Sequence, residues 1–321
     1  MKVVIVTEGL KGTGYGHLMR CLGIYQAFEE VGTAPIFVAD CDDFGGQFLG
    51  RINPVVMDWR RNASEMARLC SDSDLILVDS YLADSQNLER LRRTSRQIAY
   101  LDDDLRIDYP PGVIINGTIG AEKLPYPKDH EHRYLLGIDY VPLRKEFWDV
   151  SPGVSRQDVE NVLLIFGAQD VRDMAGKTLR SLMKAFPQHT YHVVRPPSSH
   201  GADDECDSPG VIFYRNLSAR EILQLMLKCD LAVSAAGQTI YELARVGLPT
   251  IMVGVAENQR YNIQGWIEAG FLQTELWWDD ADLFEELACQ IRNKTALQRG
   301  SRTLCDGQGA RRIVKYLSEK P

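Results

Sequence analysis

The stretch Gly12-Thr13-Gly14-Tyr15-Gly16-His17-Leu18-Met19-Arg20 holds the residue types best suited to chemistry, because it follows the apolar run Val3–Val6 and opens a helical pattern. Glycines at alternate positions turn the backbone sharply and bring its N–H groups close to a ligand. His17 then falls in or near the first turn of a helix, where unpaired N–H groups and the positive end of the dipole hold an anion and disfavour an imidazolium. A neutral histidine beside an anion site can act as a general base. A common glycine turn carrying a partly exposed polar residue has the same pattern, so this stretch needs partners elsewhere in the chain.

A second turn of this kind is Ser234-Ala235-Ala236-Gly237-Gln238-Thr239, between an apolar run and the helical pattern Ile240–Val246. Its small residues permit close approach, and the helix N-terminus with the hydroxyls of Ser234 and Thr239 can donate to phosphate oxygens. Glu242, one turn further on, would repel phosphate but suits the hydroxyls of a ribose; an acid in the first turn of a helix is also simply favourable. Glu257, Asn258 and Gln259 follow the run that ends at Val253-Gly254 and offer several hydrogen bonds to a sugar. Gly167, after Ile165-Phe166, admits close ligand approach, while Asp170 caps the next helix. Asp79-Ser80-Tyr81 and Asp102-Asp103-Asp104 also follow apolar runs. Of these, Asp79 is the stronger functional candidate because its strand is the more apolar; the Asp102–Asp104 run reads first as turn chemistry.

These residues need strand ends to hold them. Strands are expected at Lys2–Thr7, Pro35–Ala39, Pro54–Met57, Leu75–Asp79, Ile98–Leu101 and Gly112–Asn116, with helices near His17–Val31, Ala63–Cys70 and Ser85–Thr94. That alternation predicts a mostly parallel sheet covered on both faces, with functional loops at the carboxyl ends of its strands. From Gly117 to Gln157 the periodicity fades among prolines, which predicts a linker containing a short strand at Tyr134–Gly137 and a domain boundary near 145–158. The pattern then restarts, with strands at Val162–Phe166, Tyr191–Val194, Val211–Tyr214, Leu231–Ser234 and Thr250–Val253. Helices are expected at Arg172–Phe186, Ser218–Lys228, Gln238–Val246 and from Asn258, and Ser218 with Glu221 has capping-box spacing. Asp279–Leu317 reads as mostly helical, broken at Gly307 and Gly309, and His200–Gly210 as an exposed acidic loop. The expected architecture is α/β, with two similar domains, 1–150 and 151–321, and a cleft between them.

At 321 residues the chain exceeds the usual size of one core. Its net charge of −8 argues against nucleic acid or an anionic membrane surface as a partner, though a helix terminus still binds a small anion. Seven dispersed cysteines without C-x-x-C spacing read as reduced thiols, and no apolar run is long enough to insert in a membrane, so a cytoplasmic location is expected. No metal-ligand spacing is evident around His130 and His132. Neither a metal nor a cofactor is expected, and the oligomeric state stays open.

Taken together, Gly14–Leu22, Asp79-Ser80-Tyr81, Leu143–Phe147, Phe166–Asp170, Ser234–Glu242, Leu248-Pro249, Ala256–Gln259 and Asp306–Ala310 resemble a family. It is that of the UDP-sugar hydrolases of pseudaminic acid biosynthesis and the related spore-coat polysaccharide proteins. The resemblance implies two Rossmann-like domains of the glycosyltransferase B type. The implied reaction is hydrolysis of UDP-2,4-diacetamido-2,4,6-trideoxy-β-L-altropyranose to UDP and free sugar. In these terms His17 matches the base that activates water, Ser234, Gly237, Gln238 and Thr239 the loop receiving the diphosphate, and Glu242 the ribose contact. Glu257, Asn258 and Gln259 match a segment facing the sugar or nucleotide, and Gly14, Gly16, Arg20, Asp79, Tyr81 and Gly167 are expected to line the substrate. The pattern departs from the family's at Thr7–Gly12, Gly167-Ala168-Gln169 and Ala235–Gln238. A glycosyltransferase using a UDP-sugar donor, or a non-catalytic nucleotide-sugar binder, would need the same site.

Overall fold

The computed structural model describes residues 1–50, 52–151, 158–196, 209–293 and 304–319, and it divides into two units, Met1–Trp148 with Asp306–Pro321, and Asp149–Cys305. In the first unit the strands are β1 (Val3–Gly9), β2 (Ile36–Cys41), β3 (Val55–Val56), β4 (Ser73–Asp79), β5 (Ser95–Leu101), β6 (Gly112–Asn116) and β7 (His132–Leu136). They form one sheet in the order β3-β2-β1-β4-β5-β6-β7, parallel throughout. Every residue of β1 is buried, as a central strand covered on both faces requires. Helices α1 (Gly16–Glu30), α2 (Asp43–Phe48), α3 (Ala63–Cys70) and α4 (Ser85–Arg92) connect the first strands. Val4, Val6, Ile76, Val78, Ile98 and Tyr100 from the sheet pack with Met66, Leu69, Leu88 and Leu91 from α3 and α4.

The second unit has β8 (Asn161–Ile165), α5 (Met174–Ala185), β9 (Thr190–Val194), β10 (Val211–Tyr214), α6 (Ala219–Lys228), β11 (Leu231–Ala235), α7 (Thr239–Val246), β12 (Thr250–Val253), α8 (Arg260–Glu268) and α9 (Leu283–Arg292). Its parallel sheet runs β10-β9-β8-β11-β12. The expected capping box is present at α6, with Ser218 and Glu221 satisfying each other's backbone N–H groups.

Three expectations are revised. The stretch read as a linker belongs largely to the first unit: β7 pairs with β6 over Gly112↔His132 to Asn116↔Leu136, because Pro125, Pro127 and Pro142 all fall outside the strand. The helix α2 has no counterpart in the sequence reading; it is short, and Asp42 caps it by accepting from the Gly45 N–H at 2.8 Å. Residues 306–319, assigned by sequence to the second domain, return to the first unit. Gly309 begins a helix, Gly309–Glu319, that packs on α1 and on the turn Ile138–Tyr140. Arg311 from this helix forms a two-pronged ion pair with Glu30 at 2.7 and 2.8 Å. Most of the acidic 200–210 loop, with Cys206, lies outside the described residues.

The last helix approaches the chain so closely that a Cβ on Gly309 would stand 2.1 Å from the Val141 carbonyl oxygen. Backbone cannot yield as a side chain does, so Gly309→Ala is expected to cost about 1–3 kcal/mol, as overpacking typically does. Gly46→Ala, with open space around the added methyl group, is expected to be neutral or mildly stabilising. Urea unfolding of both variants checks the pair; a wild-type midpoint for Gly309→Ala would show that the helix does not dock this tightly.

Candidate active site

In a doubly wound sheet, ligands bind beyond the carboxyl ends of the strands where the strand order reverses. In the first unit that point lies between β1 and β4, whose register places Asp79 beside Thr7. The chain leaves β1, turns at Gly14 and enters α1 with His17 as its second residue. Gly14 has φ +83°, a conformation that a side chain would strain, and its N–H closes the turn on the Leu10 carbonyl at 2.9 Å. No side chain caps α1.

His17 and Asp79 meet here. The His17 Nδ1 and the Asp79 Oδ1 are 2.7 Å apart, with the carboxylate fully buried and His17 only 5% exposed. Arg20, one turn further along α1, donates from Nε to Asp79 Oδ2 at 2.5 Å and from Nη2 to Oδ1 at 2.6 Å. Its Nη1 donates to Asp103 Oδ1 at 2.5 Å. The Arg20 Nη2 also lies 3.1 Å from His17 Nδ1. An ionised carboxylate can only accept, so Arg20 and His17 both donate to Asp79, which assigns a ring proton to His17 Nδ1 and makes Nε2 the nitrogen that can accept.

Burial by itself would raise the Asp79 carboxyl, but Arg20 and His17 outweigh it and hold the group well below the usual carboxylate range. Asp103 follows the same balance, lowered by Arg20 and by the Tyr81 hydroxyl against the effect of burial. Burial likewise works against the charge of Arg20, and Asp103 and Asp79 more than offset it. Cys21 donates weakly to Asp79 Oδ2 at 3.6 Å, and burial, reinforced by Asp79, pushes its thiol well up, which keeps it protonated. Tyr81 stands edge-on to His17 with ring centroids 4.4 Å apart, and its hydroxyl donates to Asp103 Oδ2 at 2.5 Å.

The geometry therefore redistributes the roles expected from sequence. Asp79 was expected to line the substrate; it is buried beneath His17 and Arg20, and both its oxygens are occupied by them. Arg20 is also buried in this cluster, whereas Gly16 is exposed at the start of α1. Asp102 builds a turn, accepting from Leu105 N–H and from the hydroxyls of Tyr109 and Tyr126, whereas its neighbour Asp103 joins the His17 cluster. Sequence reasoning passed over Glu8, a fully buried acid at the end of β1 that accepts from Ser80 and the Tyr81 and Leu82 N–H groups. Its signal was an acid directly after the strand expected at Lys2–Thr7.

In the second unit the strand order reverses between β8 and β11, which brings together the loops after them. Two helix N-termini lie there, and they differ. That of α5 is occupied by Asp170, which accepts from the Met174 and Ala175 N–H groups at 2.7 and 2.9 Å; burial pushes its carboxyl up to about 6. The N-terminus of α7, after half-buried Gly237 and Gln238, has no side-chain cap. Thr239 is half-buried in its first turn and Glu242 is buried. Ser234 is fully buried with its hydroxyl donated to the Ala235 carbonyl at 3.1 Å, so it shapes this turn and does not offer its proton outward.

Gln259 accepts from the Val255 N–H at 2.9 Å, and its amide nitrogen lies 3.9 Å from where a Cβ on Gly237 would stand. Glu257 and Asn258 are exposed, and Glu257 pairs with Arg260 at 2.6 Å. Gly167 is exposed with φ +82°. Two residues unnoticed in the sequence fasten the α7 turn: buried Asn262 donates to the Ala236 carbonyl at 2.8 Å and accepts from the Tyr241 hydroxyl at 2.6 Å. Among the described residues, no group of three His, Cys, Asp or Glu side chains could hold a metal ion, and no helix is long and apolar enough to cross a membrane.

Replacing the Asp79 carboxylate by an amide removes the counter-charge of buried Arg20 and one of the two acceptor oxygens, and breaking a buried pair in this way costs about 3–5 kcal/mol. Asp79→Asn is therefore expected to lower stability by that order at neutral pH. Because the folded-state carboxyl is depressed, its contribution is complete above the unfolded value of about 4 and is lost as pH falls below it. Urea midpoints of both proteins should differ by a constant amount from pH 8 to about 5 and converge in acid; a gap that ignores acid would mean that ion pairing is not its source.

No family model matches the chain. It is 24% identical over 282 residues to the pseudaminic acid cytidylyltransferase and UDP-2,4-diacetamido-2,4,6-trideoxy-β-L-altropyranose hydrolase of Helicobacter pylori, a match covering 86% of this chain and 49% of that protein. The chain thus spans about half the length of this relative. It is 22% identical over 260 residues to the spore coat polysaccharide biosynthesis protein SpsG of Bacillus subtilis, covering 77% of this chain and 76% of that protein. The S. aureus MnaA–UDP co-structure superposes with a TM-score of 0.70 at 12% identity, over 99% of this chain and 96% of that one. The fold is α/β with two parallel sheets, of the glycosyltransferase B type, and over most of its length the chain is similar to a protein whose name includes a UDP-sugar hydrolase and to one named for polysaccharide biosynthesis.

Proposed function

We propose that this chain hydrolyses a UDP-linked amino-deoxy sugar to UDP and free sugar, with UDP-2,4-diacetamido-2,4,6-trideoxy-β-L-altropyranose as the best-supported substrate. The observation that carries the reading is the His17–Asp79 pair. A buried carboxylate kept ionised by Arg20 fixes the proton on His17 Nδ1, and this leaves Nε2 to take a proton from water. The water oxygen forms a bond to the anomeric carbon as the bond from that carbon to the diphosphate oxygen breaks. The electron pair departs with UDP, and the water proton passes to Nε2. Attack opposite the leaving group inverts the anomeric centre.

The diphosphate is assigned to the turn Gly237–Thr239. At α5 the Met174 and Ala175 N–H groups are taken by the Asp170 carboxylate, whereas the turn before α7 carries no acid of this kind, so the positive end of the α7 dipole suits the charge that develops on the leaving group. Glu242 is assigned to the ribose hydroxyls and Gln259, beside Gly237, to a phosphate or sugar oxygen. The similarity to the H. pylori protein, whose name includes this hydrolase activity, supports the choice of substrate. Arg20 is spent on Asp79 and Asp103, which fits an uncharged sugar beside His17 better than a second anion site.

An NMR time course with purified protein, UDP-sugar and no acceptor tests the reaction. Equal amounts of free sugar and UDP are expected; an intact UDP-sugar that is consumed only when an acceptor is added would make the chain a transferase. His17→Asn is expected to lower turnover by about 10²–10⁴-fold, the usual worth of a general base, with UDP affinity kept. Retained turnover would remove His17 from this role. Glu242→Ala is expected to weaken UDP binding, measured by calorimetry, more than it slows saturated turnover, and wild-type affinity would overturn the ribose assignment.

A further inference from the structure

Glu8 is fully buried, and the hydrogen bonds to its carboxylate come from one loop. Its Oε1 accepts from the backbone N–H of Tyr81 at 2.7 Å and of Leu82 at 3.0 Å, and its Oε2 accepts a short bond from the Ser80 hydroxyl. The Ser80 Oγ in turn accepts from the Leu82 N–H at 3.1 Å and the Ala83 N–H at 2.9 Å. Successive amides turned toward one anion form a nest, and here the anion is the protein's own side chain. Neutral Asn or Ser side chains close surface turns without the several kcal/mol that burying a charge costs. The loop held in this way delivers Tyr81, with its ring edge-on to His17 and its hydroxyl on Asp103, the second partner of Arg20.

We propose that Glu8 is a positioning residue for the chemistry at His17, acting through Tyr81: it fixes the loop whose tyrosine forms the wall beside the imidazole and joins Asp103 to the cluster. This rests on His17 being the base. The charge matters for a stereochemical reason. In Glu8→Gln the amide oxygen still accepts from the two N–H groups, but an NH₂ group replaces the acceptor of the Ser80 hydroxyl and faces a Ser80 Oγ whose lone pairs already meet the Ala83 N–H and the Leu82 N–H shared with Glu8. The isosteric variant therefore cannot hold the loop as the carboxylate does, and Tyr81 moves relative to His17.

A double-mutant cycle on Glu8→Gln and Tyr81→Leu tests this, with two readouts: steady-state hydrolysis, and the ring Cε1–H resonance of His17, assigned by its loss in His17→Asn. Glu8→Gln is expected to lower kcat about 10-fold or more, as small misplacements at a reacting group do, with KM within about twofold of wild type. The double variant should be no slower than the slower single variant, and the His17 resonance should move in both single variants without a further shift in the double, because residues acting as a unit are not additive. Losses that multiply in the double variant, or a Glu8→Gln protein with wild-type kcat and resonance, would overturn the proposal. If the wild-type protein hydrolyses no UDP-sugar, the functional reading fails while the resonance still decides whether Glu8 acts on His17 through Tyr81. If Glu8→Gln does not fold, Ser80→Ala, which removes one bond to the same carboxylate, takes its place in the cycle with the same coupling expected.

Discussion

The first unit is built around one buried negative charge. Asp79 is fully buried, so its ionised form depends on Arg20 and His17, which donate to its two oxygens. That requirement fixes what surrounds it. His17 and Arg20 must be three residues apart on one helix so that both reach the same strand end. The helix must begin at the β1–β4 junction, and the preceding turn must be tight enough to start it there, which the positive φ of Gly14 provides. Arg20 then has a further donor for Asp103, and Asp103 in turn anchors the Tyr81 hydroxyl. A cluster of this kind is costly to bury, and its value lies in the fixed tautomer and orientation it imposes on one imidazole.

The second unit repeats the topology with a different electrostatic outcome. At its strand-order reversal, the first helix N-terminus is neutralised internally by Asp170 and the second has no side-chain cap. At α7 the Ile240 and Tyr241 N–H groups instead donate to the Gly237 and Gln238 carbonyls, both at 3.2 Å. Asn262, itself fixed by the Tyr241 hydroxyl, holds the turn before α7 by donating to the Ala236 carbonyl, so the small residues of that turn keep a defined shape. One unit spends its cation on internal carboxylates, and the other leaves a helix terminus without a side-chain cap.

Much of this was legible in the chain alone. Apolar runs of four to seven residues ending in glycine or acid, each followed by a helical period, specify a parallel α/β fold, because a strand buried on both faces has no polar side to show. His17, Arg20, Asp79, Gly237 and Gln259 could be singled out because they sit at strand ends or helix starts, positions that sequence marks locally. The resemblance to UDP-sugar hydrolases rested on the same local motifs. Other features were decided by tertiary structure, since they depend on residues distant in sequence. The pairing of β7 with β6, the return of Gly309–Glu319 to the first unit, and the conversion of Asp79 from a substrate contact into a buried support are of this kind. So is Glu8, separated from the loop it holds by 72 to 74 residues. Periodicity reports which face of an element is buried. Which charge meets which across a sheet is fixed only when the strand order sets two distant chain segments side by side.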